Sequence, residues 1–172
     1  MASTADIAAA VDQFLKAPKR LVGADMPMQW GPGHSDNERA TVLPLELGGE
    51  QSGAKLLLVG FPHERNLKFR LSILIPAPIC RLDFTDETHG NTLADAGDRI
   101  PPIVQGPHYH SWPLNRRFCR GATLPTKLHN AAPFEIRARS FDAILRWFCT
   151  DTNIEGLPPD HRIALPTTDR LL

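Results

Sequence analysis

A chain of 172 residues is long enough for one domain and too short for two ordinary ones, so residues 1–172 are read as a single domain. Hydrophobic residues at 42% and charged residues at 22% lie near the globular average and exclude a disordered chain. With 19 basic residues against 19 acidic ones, no chain-wide field draws the protein to nucleic acid or to an anionic membrane.

The first predicted element is a helix. Ser3 can cap it, with Asp6 three residues on, and Ile7, Ala10, Val11, Phe14 and Leu15 then repeat on one helical face until Pro18 stops it. Residues 23–38, rich in Gly and Pro, read as loop. Four extended segments follow. Ala40–Leu47 contains Pro44, which predicts an edge strand. After the turn-rich 48–53 come Lys55–Phe61, Leu67–Ile75 and Ile79–Thr85, whose short connections favour antiparallel neighbours.

Residues 86–107 form a long polar connection, and His108–Trp112 a short extended stretch closed by Pro113. Residues 114–139 give no clear period. Ser140 then caps a second helix, with Phe141, Ile144, Leu145 and Phe148 along one face. The tail, including 162–165, could add a last short strand. The expected fold is α+β: an antiparallel meander packed by an N-terminal and a C-terminal helix.

Cys80, Cys119 and Cys149 are odd in number and far apart, a pattern suited to reduced thiols in a cytosol and not to a zinc ribbon. No apolar run approaches the ~20 residues a membrane helix needs, and the N-terminus lacks the features of a signal peptide. A cytoplasmic, soluble protein is expected. Cysteine nucleophiles are unattractive, since Cys80 and Cys149 fall on apolar faces; Cys119, between Phe118 and Arg120, could have a lowered pKa but has no evident base.

Alternation along strands concentrates the chemistry. In Cys80–Phe84, Cys80, Leu82 and Phe84 share one face, while Arg81 and Asp83 share the other. In His108-Tyr109-His110 the two histidines share a face and Tyr109 takes the opposite one. If the two segments are neighbouring strands, Arg81, Asp83, His108 and His110 meet on one surface, and His89 can fold over it from the intervening loop. His129 is a fifth candidate; His34, His63 and His161 read as loop or surface residues.

Two chemistries fit such a set. His108 and His110 with Asp83 or His89 could ligate a divalent transition metal with one position left open. Alternatively, one imidazole could take a proton while another gives one at a phosphodiester, with Arg81 stabilising the developing charge. The blander reading is a hydrogen-bonded sheet face. A basic block over 110–140, six Lys and Arg against Glu135 alone, could be a phosphate-binding face or could neutralise the acidic block that begins at Asp83.

The string Arg81-Leu82-Asp83, Thr88-His89-Gly90-Asn91 and Gly106-Pro107-His108-Tyr109-His110 resembles a pattern in prokaryotic small-protein families that include the TumE-type toxins. That resemblance covers about thirty residues. It implies a toxin or mobile-element setting and RNA as a substrate, with Arg81, Asp83, His89, His108 and His110 as the catalytic set. His108-Tyr109-His110 is also similar to the His-x-His of cupins, although the glutamate those carry four residues later is missing here. The leading expectation is a nuclease-like phosphodiesterase. The alternatives are a non-enzymatic accessory protein acting through another protein, and a cupin-like metal-binding protein.

Overall fold

The computed structural model describes residues 4–24, 27–92 and 100–166. It is an α+β fold dominated by one mostly antiparallel sheet, so the expected class holds. Helix α1 (Thr4–Lys16) leads into β1 (Lys19–Leu21) and β2 (Gly31–Pro32). The long strands β3 (Arg39–Leu47), β4 (Glu50–Gly60), β5 (Phe69–Ile75) and β6 (Ala77–Phe84) follow as consecutive antiparallel neighbours. After the ribbon β7 (Thr88–Gly90) and β8 (Ile103–Gln105), the strand β9 (His108–His110) returns to pair with β6. The chain continues through α2 (Trp112–Asn115), a 3-10 turn (Arg116–Phe118), β10 (Ala132–Pro133), α3 (Phe141–Asp151) and β11 (Ile154–Glu155). The sheet order is β10-β9-β6-β5-β4-β3-β1-β11, with β2 also on β3, and only β1–β11 is parallel.

One face of this sheet carries the core. Leu56, Leu58, Phe69, Leu71, Ile73 and Leu82 are fully buried there, with Val11 of α1 and Ile144, Leu145 and Phe148 of α3 in the same cluster. Phe69 stacks on Phe84 at 4.9 Å and meets Phe141 edge-on at 4.9 Å. Tyr109 points to this side too, against Trp147 and Phe148, and its hydroxyl donates to Asp151 at 2.8 Å. The opposite face of β5, β6 and β9 is therefore left for Arg70, Arg81, Asp83, His108 and His110, as period-two alternation requires.

Several local expectations are corrected. Pro44 does not mark an edge strand: β3 lies inside the sheet, with β4 on one side and β1 and β2 on the other. The proline is tolerated because β1 covers residues 45–47 of β3 and β2 covers residues 39 and 40, leaving a gap beside Pro44 at an irregularity in the register. The turn after β3 is only Gly48-Gly49, both at positive φ (63° and 86°), so β4 begins five residues earlier than predicted. Within the connection 86–107, residues 88–90 and 103–105 pair as the β7–β8 ribbon. Trp112 opens a helical turn, where Pro113 at a first-turn position loses no hydrogen bond.

The tail over 162–165 is not a strand. Side chains of α3 hold it instead: Arg146 donates to the carbonyls of Pro158 and His161, and Asp142 accepts from the Ile163 amide. Ile154–Glu155 takes the edge position beside β1. The proposed Ser3 cap lies outside the described residues. No helix among the described residues is long and apolar enough to cross a membrane.

Ser140 caps α3 as its position predicts, its hydroxyl accepting from the Ala143 amide at 3.3 Å. Ser140→Ala should cost about 1 kcal/mol, read as a lower urea midpoint with an unchanged m-value.

Candidate functional site

The site begins with a strand register. β6 and β9 pair with Arg81 opposite His110, Leu82 opposite Tyr109 and Asp83 opposite His108. Residues directly opposed in an antiparallel pair share a face, so Arg81, Asp83, His108 and His110 are brought onto one surface. β5 adds Arg70, which stands opposite Asp83. The β7–β8 ribbon brings His89 over the group, its ring 4.5 Å from that of His110 and 5.5 Å from that of His108.

Asp83 is the hub. Its carboxylate is 2% exposed, with Oδ2 3.3 Å from His108 Nε2, 3.2 Å from His110 Nε2 and 2.7 Å from Arg81 Nε. Arg70 Nε lies 3.2 Å from Oδ1, near enough for charge pairing, yet Oδ1 has no aligned hydrogen bond. Burial works against the charge, but His108, His110 and the Arg81 cation outweigh it and hold the carboxyl well below the usual range. Arg70 also reaches Glu38 and Glu87, which balances its charge at the rim.

The hydrogen bonds assign the imidazole protons. A carbonyl oxygen can only accept, so the ring nitrogen facing one must carry hydrogen. His108 Nδ1 lies 2.7 Å from the Gly106 carbonyl, His110 Nδ1 3.1 Å from that of Asn130, and His89 Nε2 3.0 Å from that of His129. All three histidines thus spend one ring N–H on the backbone. Of the other nitrogens, His110 Nε2 and His89 Nδ1 carry lone pairs, whereas His108 Nε2 faces the Asp83 carboxylate at 3.3 Å and offers one only when deprotonated. One nitrogen from each ring lies within 4.8 Å of the others.

The two β9 histidines differ in charge. Burial pushes His110 down to about 4, so it is neutral and its Nε2 accepts from Arg81 Nη2 at 3.1 Å. For His108, burial is outweighed by the Asp83 carboxylate and the Gly106 carbonyl, which raise it above its ordinary value.

The backbone carbonyls are themselves clamped. Asn115, fully buried, accepts from the amides of His129 and Asn130 and donates to the carbonyls of Ser111 and Asn130. Asn91 does the same for Ala131, accepting from its amide and donating to its carbonyl. Residues 129–131 are thereby held as a rigid wall beneath His89 and His110. Sequence reading missed Asn91, Asn115 and Arg70. Arg70 was reachable from the β5–β6 register, whereas the two asparagines act on a segment without periodicity.

Other candidates fall away. His34, His63 and His161 are exposed, while His129 contributes its carbonyl and stacks its ring on Phe118. Cys119 does not have a lowered pKa: burial raises it, against a smaller effect of Arg116. Cys80 and Cys149 are buried and pushed up to about 12 by burial.

The three histidines could hold a metal ion, since each offers a ligand atom within 4.8 Å of the others. His110 Nε2 has one lone pair, so it can serve Arg81 or a metal but not both.

Comparison with known proteins adds no assignment: no family model matches the chain, and neither the curated proteins nor the solved structures give a match.

Titration separates the two imidazoles. The His110 value of about 4 lies below the ordinary 6.5, so neutral His110 stabilises the fold fully above pH 6.5. That contribution drains away as pH falls toward 4, reaching about 3 kcal/mol at ~1.4 kcal/mol per unit. His108 has the opposite sign: its contribution is complete below 6.5 and is lost as pH rises through its higher folded value. In metal-free protein, NMR titration should find one imidazole titrating near pH 4 and another above 6.5. His110→Gln should flatten the stability slope between pH 4 and 6.5.

Proposed function

We propose that the protein is a metal-dependent hydrolase of phosphodiesters, with a divalent transition-metal ion held by His89, His108 and His110 beside the Asp83 carboxylate. One observation carries this reading: each imidazole gives one N–H to a fixed backbone carbonyl, and the three rings bring one ligand atom each within 4.8 Å of the others. Metal-ligating histidines are held in this way, their outer nitrogens fixing tautomer and ring orientation. A purely acid–base mechanism is less well supported. His108 and His110 are buried, with Nε2 of each turned to Asp83 and not to solvent, which leaves neither exposed to a substrate proton.

The metal would supply Lewis acidity and a water of lowered pKa. The chain's own residues supply the rest. Asp83 neutralises the centre and holds the two β9 rings in line. Arg81, with its side chain 32% exposed, would have to leave His110 Nε2 for the ion to bind there, which would free its guanidinium toward the rim. There its guanidinium suits a phosphate oxygen. His89, half-buried, marks the side from which solvent and substrate enter. Nitrogen-rich sites with three histidines and an open position are those of catalytic and not structural zinc.

The cupin alternative is not favoured, because the strands form one open sheet path and not a double-sheet jelly roll.

Protein purified without an affinity tag should contain about one equivalent of zinc, manganese, cobalt or iron, and should hydrolyse bis(p-nitrophenyl) phosphate until a chelator is added. His108 must lose its proton to ligate, so metal affinity should fall as the solution is acidified below neutrality. Less than a tenth of an equivalent after incubation with each metal would sink the metal centre. Full metal occupancy without hydrolysis would sink the enzymatic part.

A further inference from the structure

His129, whose carbonyl holds His89, turns its ring into a second concave site. It is a cavity of about 370 Å³ lined by Phe118, Arg120, Leu124, Lys127 and His129, among others. Its volume falls in the ~300–1,000 Å³ range of small-molecule sites. Phe118 and His129 stack within it, 4.3 Å between centroids and 22° apart in plane, and Arg117 lies over the Phe118 ring at 5.3 Å. Among the described residues neither Arg120 nor Lys127 makes an ion pair, although both are exposed.

Both cations act on the His129 ring. Burial lowers its pKa, and Lys127 and Arg120 lower it further. The two sites are physically joined, because the same His129 whose ring lines the cavity accepts the His89 hydrogen bond through its carbonyl. The larger cavity of about 640 Å³ lies on the opposite, helical side of the sheet and carries Asp12 and Asp151, which would repel an anion.

We propose that the Phe118–Arg120–Lys127–His129 cavity binds single-stranded nucleic acid, taking a base against the stacked rings and backbone phosphates on Arg120 and Lys127. A concave aromatic site admits an unstacked base, which a duplex keeps hidden. Sequence-tolerant recognition of single strands uses this combination of π-faces and cations. The strand would then pass directly to the histidine centre. That last step rests on the hydrolytic reading above, whereas the binding itself does not.

The test is fluorescence anisotropy with the full-length chain and labelled single-stranded RNA and DNA of about 12 nucleotides, a length within the usual single-strand site range. Binding should weaken with salt. The double variant Arg120→Ala, Lys127→Ala should lose at least tenfold in affinity, and its salt slope should fall by about 1.4, since each phosphate contact contributes ~0.7 for single strands. Phe118→Leu should weaken binding by about fivefold or more, the low end of base–aromatic stacking. A polyglutamate peptide should not compete.

The proposal is overturned if the double variant binds like the parent protein, or if polyglutamate competes as well as the oligonucleotide. A mononucleotide binding as tightly as the strand, with the same losses in the variants, overturns the single-strand assignment in favour of a free nucleotide. Hydrolysis of bis(p-nitrophenyl) phosphate by the unmodified chain is read in parallel. Its absence alongside intact oligonucleotide binding counts against the hydrolase alone, and the converse counts against the cavity alone.

Discussion

The antiparallel pairing of β6 with β9 is the constraint on which the site depends. Three residue pairs decide the register, and a slip of one residue would send His108 and His110 into the apolar core and Tyr109 onto the polar face. The register is pinned from the core side. Leu82 is fully buried opposite Tyr109, whose ring packs on Trp147 and Phe148 and whose hydroxyl is held by Asp151. The hydrophobic effect acting on one face thus aims the imidazoles on the other.

Burying Asp83 at the centre of that polar face is costly unless its charge is compensated. Compensation comes in layers. Arg81 and His108 meet Oδ2, Arg70 approaches Oδ1, and Glu38 and Glu87 balance Arg70 at the surface. This network explains why two histidines on the same strand differ in protonation. His108 is dominated by the carboxylate, whereas His110, more deeply enclosed and already in contact with Arg81, stays neutral.

The site was readable in the sequence to the extent that it obeys strand alternation. Arg81, Asp83, His108 and His110 needed only a period of two and the pairing of two segments. The meander from β3 to β6 and the capped α3 carry equally direct signals in apolar spacing and in Ser140. What escaped was non-periodic. Asn115 and Asn91 act through hydrogen bonds to a segment 14 to 40 residues away, and no local pattern announces such a reach. Pro44 misled because a proline reports a missing donor, which an internal gap between β1 and β2 accommodates as well as a sheet edge does. The tail misled because the polar side chains of α3, and not a ladder, satisfy its backbone.

The shortness of β9 has a further meaning. Three residues serve two layers at once: Tyr109 belongs to the interior beneath α3, and its immediate neighbours belong to the histidine group. No spare residue lies between the two roles to absorb a change in either. Repacking around Trp147 or Phe148 would reach the imidazoles through a single peptide unit on each side of Tyr109. Variation in the helical layer is then filtered by the polar face as strictly as by stability, and a small, distant change in aromatic volume could silence the site in a protein that still folds.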